Sequence, residues 1–161
     1  MIRTAIVTVS DSTFAGTRED KSGAVLEARI VELGWTPVSR HLVPDETSQI
    51  SSLLSQLVHG AMVDLIVTTG GTGLAMRDVT PEATRAVSNR EIPGFGETMR
   101  AAGLRSTKFS PLSRSTAFTA SATLILNLPG SPRGAVESFD AVVALIPHAV
   151  DLLHGRTEHK E

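Results

Sequence analysis

The stretch DLIVTTGGTGLAMRDVTPEAT, residues 64–84, joins an apolar run to a glycine-rich loop and then to the start of a helix. Apart from Asp64, residues 64–69 are β-branched or apolar without alternation, which is typical of a strand buried on both faces of a parallel sheet. Three of the four residues at 70–73 are glycine, and Arg77 and Asp78 follow them. A buried strand that leads through such a loop into a helix indicates an α/β protein.

The flanking sequence repeats this alternation of strand and helix. Residues 4–9 and 36–43 are predicted strands, and 115–128 resembles two strands around a short turn. Apolar spacing, caps and breakers predict helices at about 22–33, 47–60, 80–88, 94–105 and 133–154, the last kinked or broken at Pro147. We therefore expect a single domain over 1–161, a three-layer α/β sandwich with a mostly parallel sheet, helices on both faces and a small β-hairpin.

Composition excludes several classes of protein. The 161 residues carry 15 Lys plus Arg against 17 Asp plus Glu, a net charge of -2, and no basic block, which argues against a nucleic-acid partner. The absence of Cys excludes disulfides, zinc thiolates and cysteine nucleophiles. The first apolar run, 4–9, is too short for a signal peptide or a membrane span, so we expect a cytoplasmic protein with no membrane partner.

Two common nucleotide-binding motifs do not fit the chain. Residues 71–76 lack the third glycine of a dinucleotide fingerprint, which excludes a plain nicotinamide-binding domain. The segment AGTREDKS, residues 15–22, ends like a P-loop in Lys21-Ser22, but Ala15 and Asp20 occupy its two glycine positions. We reject both motifs.

The glycine loop at 70–73 has two interpretations. Its successive main-chain amides form an anion cradle for phosphate, with hydroxyl donors from Thr68, Thr69 and Thr72. Alternatively, the glycines only supply the positive φ angles that a tight turn requires. Arg77 and Asp78 next to the loop favour phosphate binding.

Asp78 would repel a phosphate placed about 4 Å away by roughly 4 kcal/mol at an effective dielectric near 20. A divalent cation reverses this sign, because Mg²⁺ binds through one or two carboxylates together with substrate phosphates. Asp45, which follows the strand at 36–43, is the natural second carboxylate, although it also fits as a cap of the helix that starts near Thr47. Ser113 and Arg114 form a further candidate anion site.

The motifs taken together identify a family. In order they are Ser10-Asp11, DKSG (20–23), Pro44-Asp45-Glu46, TTGGTG (68–73), RDVTPEAT (77–84), PGFGE (93–97), LSR (112–114) and NLPGSP (127–132). This series resembles the molybdopterin adenylyltransferase family of MogA, the MoaB proteins and the G domain of gephyrin. The resemblance spans nearly the whole chain, although Ser12 stands where MogA-type members often have Arg, so the MogA and MoaB subtypes both stay open.

The resemblance implies an α/β homotrimer or larger oligomer that takes part in molybdenum cofactor biosynthesis. Such an enzyme transfers AMP from ATP, with Mg²⁺, to the terminal phosphate of molybdopterin and releases pyrophosphate. A molybdenum insertase is then a possible partner in the next step. The alternative is a MoaB-like module or scaffold that binds molybdopterin without significant turnover.

The resemblance and the chemistry of the residues together define the expected site. Asp45 and Asp78 are expected to be the catalytic carboxylates and the Mg²⁺ ligands, Glu97 to bind the pterin ring, and Arg114 and the helix after Ser131 to hold a phosphate. The expected substrate-binding residues are Ser10, Asp11, Thr69, Gly70, Gly71, Thr72, Gly73, Glu97, Ser113, Arg114, Pro129, Gly130 and Ser131.

Overall fold

The computed structural model describes residues 1–60 and 62–156, and it contains one six-stranded sheet. The strands are β1 (Arg3–Val9), β2 (Thr36–Val43), β3 (Leu65–Thr69), β4 (Arg90–Ile92), β5 (Thr116–Ala120) and β6 (Thr123–Leu128). They lie in the order β2-β1-β3-β6-β5-β4. β5 is antiparallel to both its neighbours, and the other adjacent pairs are parallel.

Helices connect these strands. They are α1 (Asp11–Phe14), α2 (Lys21–Glu32), α3 (Thr47–His59), α4 (Thr80–Arg85), α5 (Pro93–Gly103), α6 (Pro132–Val142) and α7 (Ile146–Leu153), with short 3₁₀ turns at Ser110–Leu112 and Val143–Leu145. The interruption at 143–145, just before Pro147, confirms the predicted break in the last helical region.

Two apolar cores sandwich the sheet, because side chains alternate between its faces. Ile6 of β1 faces the core that includes Leu26 of α2 and Phe139 of α6, where α5 and α7 also pack. Val7, the next residue along β1, faces the opposite core with Ile50 of α3, where α4 also packs. This arrangement confirms the three-layer α/β sandwich, its mostly parallel sheet and the β5-β6 hairpin.

Some local features differ from the predictions. The segment after Ser10, predicted as a loop, begins with α1, and the unpredicted three-residue strand β4 pairs with β5. The local pattern predicts Thr80 as the cap of α4, but it is the first residue of that helix, and its hydroxyl donates to the carbonyl of Gly70 at 2.9 Å. The Thr80 hydroxyl therefore makes a tertiary hydrogen bond instead of the helix cap that the local pattern predicts.

The parallel strands bring the candidate loops to one edge of the sheet. β1, β2, β3 and β6 run in the same direction, so the loops that follow their carboxyl ends meet there, where ligands of such sheets bind. In the part of the chain that the structure describes, no helix combines the length and apolarity needed to cross a membrane.

Candidate active site

The first two glycines of the loop after β3 are required by the turn itself. Gly70 and Gly71 have φ angles of +104° and +68°. A Cβ on Gly70 would collide with the carbonyl oxygen of Val9, and one on Gly71 with the hydroxyl of Thr80. The Gly70 amide also donates to the carbonyl of Leu128 at 3.1 Å. Both glycines supply the positive φ angles of the turn, and the Gly70 amide is not available to an anion.

Three main-chain amides of the loop remain free to donate hydrogen bonds. Within the described residues, the amides of Gly71, Thr72 and Gly73 donate to no protein acceptor. The predicted donor role of Thr68 toward a phosphate is wrong, because Thr68 is fully buried below the loop. Its hydroxyl lies beside Asn127, whose side-chain amide donates to it at 3.0 Å. The loop therefore offers main-chain amides to an anion.

Thr69 and Thr72 lie at the same loop but face different cavities. Thr69 is buried, its hydroxyl donates to the carbonyl of Pro129 at 2.7 Å, and the residue lines the larger of the two cavities described below. Thr72 is 5% exposed and lines the smaller one. The predicted donor role of the Thr69 hydroxyl toward a phosphate is therefore wrong, because its proton is used to fix the turn after β6.

Asp45 does not cap α3. The residue before that helix, Glu46, makes no capping hydrogen bond through its side chain, so the capping alternative is wrong. The carboxylate of Asp45 instead accepts from the Asp11 amide at 2.9 Å, and the Asp45 amide donates to the Asp11 carboxylate at 3.0 Å. This exchange joins the loops that follow β1 and β2.

Arg77 connects the glycine loop to the loops that follow β1 and β2. Its guanidinium donates to both carboxylate oxygens of Asp11, at 2.6 and 3.0 Å, and to Glu46 at 2.9 Å. The hydrogen bonds from Arg77 hold the pKa of Asp11 below its ordinary value. Asp11 therefore stays ionised and acts as a bridge between loops.

Asp45 and Asp78 line one cleft. Asp78 accepts from the Ala75 amide at 2.9 Å through one carboxylate oxygen, and Asp45 uses one oxygen for Asp11. The second oxygen of each carboxylate has no donor among residues 1–60 and 62–156. Burial, and then the charges of Asp11 and Asp78, raise the pKa of Asp45.

Two adjoining cavities meet at Asp78. The larger has a volume of about 680 Å³ and extends from Asp45 to the end of β1 and the start of α2. The smaller, of about 520 Å³, is lined by apolar and small side chains that include Leu74, Leu112 and Ser113. Both cavities are lined by Gly71, Asp78 and Gly130.

Arg114 holds the glycine loop in place. Its three guanidinium nitrogens donate to the carbonyls of Gly73 at 2.8 Å and Asp78 at 2.7 Å and to the carboxylate of Glu82, and its amide donates to the carbonyl of Thr72 at 2.9 Å. The predicted phosphate contact is therefore replaced by protein contacts. Arg114 positions the loop that carries Asp78.

The predicted substrate-binding residues that follow β6 lie in the site, whereas Glu97 does not. Pro129, Gly130 and Ser131 line the cavities. The Ser131 hydroxyl caps α6 by accepting from the Gly134 amide at 3.1 Å, which is what a serine followed by a proline at a helix start predicts. Glu97 is exposed on α5 and lines neither cavity. Its predicted contact with the pterin has no support in this arrangement.

The family model described as a "probable molybdopterin binding domain" matches residues 5–148. The chain belongs to this molybdopterin-binding family. The match covers every loop of the candidate site, from Ser10 to Ser131. Membership confirms the family identified from the sequence motifs and places the chain among proteins of molybdenum cofactor biosynthesis.

Similar proteins agree with this assignment. Molybdopterin adenylyltransferase of Helicobacter pylori (strain J99) is 40% identical, over 96% of this chain and 89% of its own length. The Escherichia coli (strain K12) protein of that name is 38% identical, over 96% and 86%. The crystal structure of the molybdopterin biosynthesis enzyme MoaB from Thermus thermophilus is 46% identical with a TM-score of 0.90, covering 96% of this chain and 98% of the other.

This member of the molybdopterin-binding family has cleft residues that the sequence did not reveal as functional. They are Thr13 of α1, Arg18, and Lys21 and Ser22 at the start of α2, all of which line the larger cavity. Two signals in the sequence pointed to Lys21 and Ser22. They are the P-loop-like ending, which lacks the glycines of that motif, and the family motif DKSG at 20–23.

Proposed function

We propose that this protein is a molybdopterin adenylyltransferase that transfers AMP from ATP, with Mg²⁺, to the terminal phosphate of molybdopterin. The observation that carries the proposal is the pair Asp45 and Asp78, which face one cleft where two cavities meet. The names of the Helicobacter pylori and Escherichia coli relatives support it.

The two cavities suit two different substrates. The larger is polar, contains the carboxylate pair and has basic side chains from Arg18 and Lys21, which suits a triphosphate. The smaller has an apolar wall from Leu74, Leu112 and Pro129, which suits a flat ring. Their junction at Asp78 is where the phosphate of one substrate would meet the α-phosphate of the other.

The reaction needs no side-chain nucleophile. An oxygen of the pterin phosphate attacks the α-phosphorus of ATP, the bond to the β-phosphate breaks, and pyrophosphate leaves with the electron pair. The protein's task is to position two anions and offset their charge. The free amides of Gly71, Thr72 and Gly73 donate to phosphate oxygens, and Arg114 keeps that loop fixed.

The carboxylate pair fits a magnesium ion. Asp45 and Asp78 each present one oxygen that no donor of the described residues engages, and Arg77 is committed to Asp11 and Glu46. Mg²⁺ in proteins is usually bound by one or two carboxylates, and substrate phosphates and water provide its other ligands. When bound, the ion supplies positive charge against the phosphate oxygens.

Pyrophosphate release tests the proposal directly. The protein is incubated with molybdopterin, ATP and Mg²⁺, and pyrophosphate is measured together with adenylyl-molybdopterin. We expect both products, with a strong loss in Asp45→Asn and Asp78→Asn. Tight molybdopterin binding without pyrophosphate would instead support the binding module.

We also propose, from the family resemblance, a cytoplasmic homotrimer that passes its product to a molybdenum insertase. Exposed apolar side chains on the edge strand β2, Val38 at 40% and Leu42 at 42% exposure, are candidate contacts between copies. Light scattering after size-exclusion chromatography tests the assembly. A mass of one chain would contradict it.

A further inference from the structure

The start of α2 forms one wall of the larger cavity, and Lys21 and the nearby Arg18 give that wall the basic character that suits a triphosphate. Arg18, Lys21 and Ser22 come from this segment, and Thr13 of α1 lines the cavity beside them. α2 has 12 residues, and its N-terminus carries the partial positive charge of the helix dipole. The segment is therefore a candidate binding site for negative charge, provided that other observations indicate a ligand.

Two buried hydroxyls supply such an observation. Ser22 is 7% exposed and Thr13 is 8% exposed, and both line the cavity. Neither hydroxyl makes a hydrogen bond within residues 1–60 and 62–156, and neither does the Ser22 amide. Because both hydroxyls open to the cavity and have no protein partner among these residues, they are available to the acceptor oxygens of a ligand there.

The charges around this wall favour an anion. Arg18 and Lys21 form no ion pair with the described part of the chain, and both line the cavity. Asp20, which caps α2, has its charge paired, because its carboxylate accepts from the Gly23 amide, the Thr8 hydroxyl and Arg40 at 2.9 Å each. From this segment one acidic side chain, Glu19, and two basic side chains, Arg18 and Lys21, line the cavity, so its net charge there is positive.

The larger cavity connects the α2 wall with the acids, and this continuity decides which anion the wall suits. Asp45 and Asp78 line the same cavity as Lys21 and Ser22, but they belong to the loops after β2 and β3, whereas Lys21 and Ser22 belong to α2. One polyphosphate can therefore contact both groups, with its reacting end at the acids. A single phosphate held at the acids would leave the α2 wall unused.

We propose that Thr13, Arg18, Lys21 and Ser22 form a polyphosphate subsite that binds the β- and γ-phosphates of a nucleoside triphosphate. Assigning that polyphosphate to ATP rests on the proposed function. As the α–β bond breaks, the electron pair passes to the β-phosphate oxygen, and Lys21 and Arg18 offset the charge of the pyrophosphate formed. The site needs no P-loop glycines, because a hydroxyl, an amide and two cations at a helix start provide the same chemistry.

Binding of inorganic tripolyphosphate and pyrophosphate tests the subsite without any turnover. Titration calorimetry with Mg²⁺ present compares the unmodified protein with Lys21→Met and Ser22→Ala. Arg105→Ala serves as the matched control, since Arg105 is exposed and lines neither cavity. We expect Lys21→Met and Ser22→Ala to weaken tripolyphosphate binding by about tenfold or more, as for lost charge-assisted hydrogen bonds, with no change in Arg105→Ala.

The outcomes separate this inference from the proposed function. Unchanged tripolyphosphate affinity in both variants, or no binding by the unmodified protein, overturns the subsite even where adenylylation is intact. Loss of affinity in both variants supports the subsite even where no adenylyl-molybdopterin is formed. Molybdopterin affinity, measured alongside, should stay the same in both variants, and an equal loss of it would indicate a damaged fold and overturn the assignment.

Discussion

Asp11 and Asp45 exchange hydrogen bonds, since the amide of each donates to the carboxylate of the other at 2.9 and 3.0 Å. The exchange fixes the carboxylate of Asp45 relative to β1, although Asp45 itself follows β2. Arg77 then holds Asp11 from the glycine loop, which also carries Asp78. Asp11 is thus a link between the two carboxylates of the site and does not need to touch a substrate.

Arg77→Ala should lower turnover and leave the fold intact. The side chain is 55% exposed, so its loss should hardly change the melting temperature. Without it the loops that carry Asp45 and Asp78 lose their connection, and misplacement of catalytic groups costs up to about 10²-fold in rate. Steady-state kinetics and thermal unfolding measure the two effects. The control is Arg156→Ala, which removes an exposed arginine paired with Asp151. Equal activity of the Arg77→Ala and Arg156→Ala proteins would contradict the role of Arg77.

Asp78→Asn should reduce kcat by about 10² to 10³, the loss seen when one preorganised electrostatic contact is removed. The Ala75 amide can still donate to the asparagine oxygen, so the loop should keep its shape. Pyrophosphate release under saturating ATP measures the change, and calorimetric titration with Mg²⁺ measures metal affinity. Asp151→Asn is the control at a remote carboxylate. An Asp78→Asn protein with full turnover would remove Asp78 from the mechanism.

Gly70→Ala should destabilise the protein by about 2 kcal/mol or more, because the position has a φ of +104° and an added Cβ meets the Val9 carbonyl. Gly94→Ala is the matched control, since a Cβ there meets nothing within 4 Å and the residue lies in α5. Urea unfolding measures both free energies. Similar midpoints for the two variants would show that the turn after β3 tolerates a side chain.

Asp64 should make stability depend on pH in the acid range. Hydrogen bonds from Arg3, at 2.8 and 3.1 Å, hold the pKa of this buried carboxyl below its ordinary value. The folded state therefore binds the proton less tightly than the unfolded chain. The stability that Asp64 contributes is fully present above the unfolded pKa of about 3.9 and is lost as pH falls through the lower folded pKa.

Urea unfolding of the unmodified protein and Asp64→Asn, at pH 7 and at successively lower pH below 4, measures this contribution. We expect the unmodified protein to be the more stable at pH 7 and its advantage to shrink as the solution becomes more acid. Asp140→Asn, at an exposed acid paired with Arg29, is the control. A constant difference between Asp64→Asn and the unmodified protein at every pH would contradict the assignment.

The local pattern of the sequence determined the layers of this fold. Continuous apolar runs, the glycine after α2 and the serine cap of α6 act within a few residues, so their structural effect can be inferred from neighbours in the chain. The motifs around Asp45 and Asp78 also identified the family and the acids that line the cleft.

Tertiary contacts decided what the polar side chains do. Thr80 bonds Gly70 and does not cap its helix, Arg114 clamps the glycine loop, and Asp45 pairs with Asp11, which lies 34 residues away. A hydroxyl or a carboxylate bonds whichever partner the fold brings within about 3 Å, and sequence spacing carries no information about partners on other strands. The sequence by itself therefore determined the order of the elements and the family, while the meeting of parallel strand ends decided which side chains form the site.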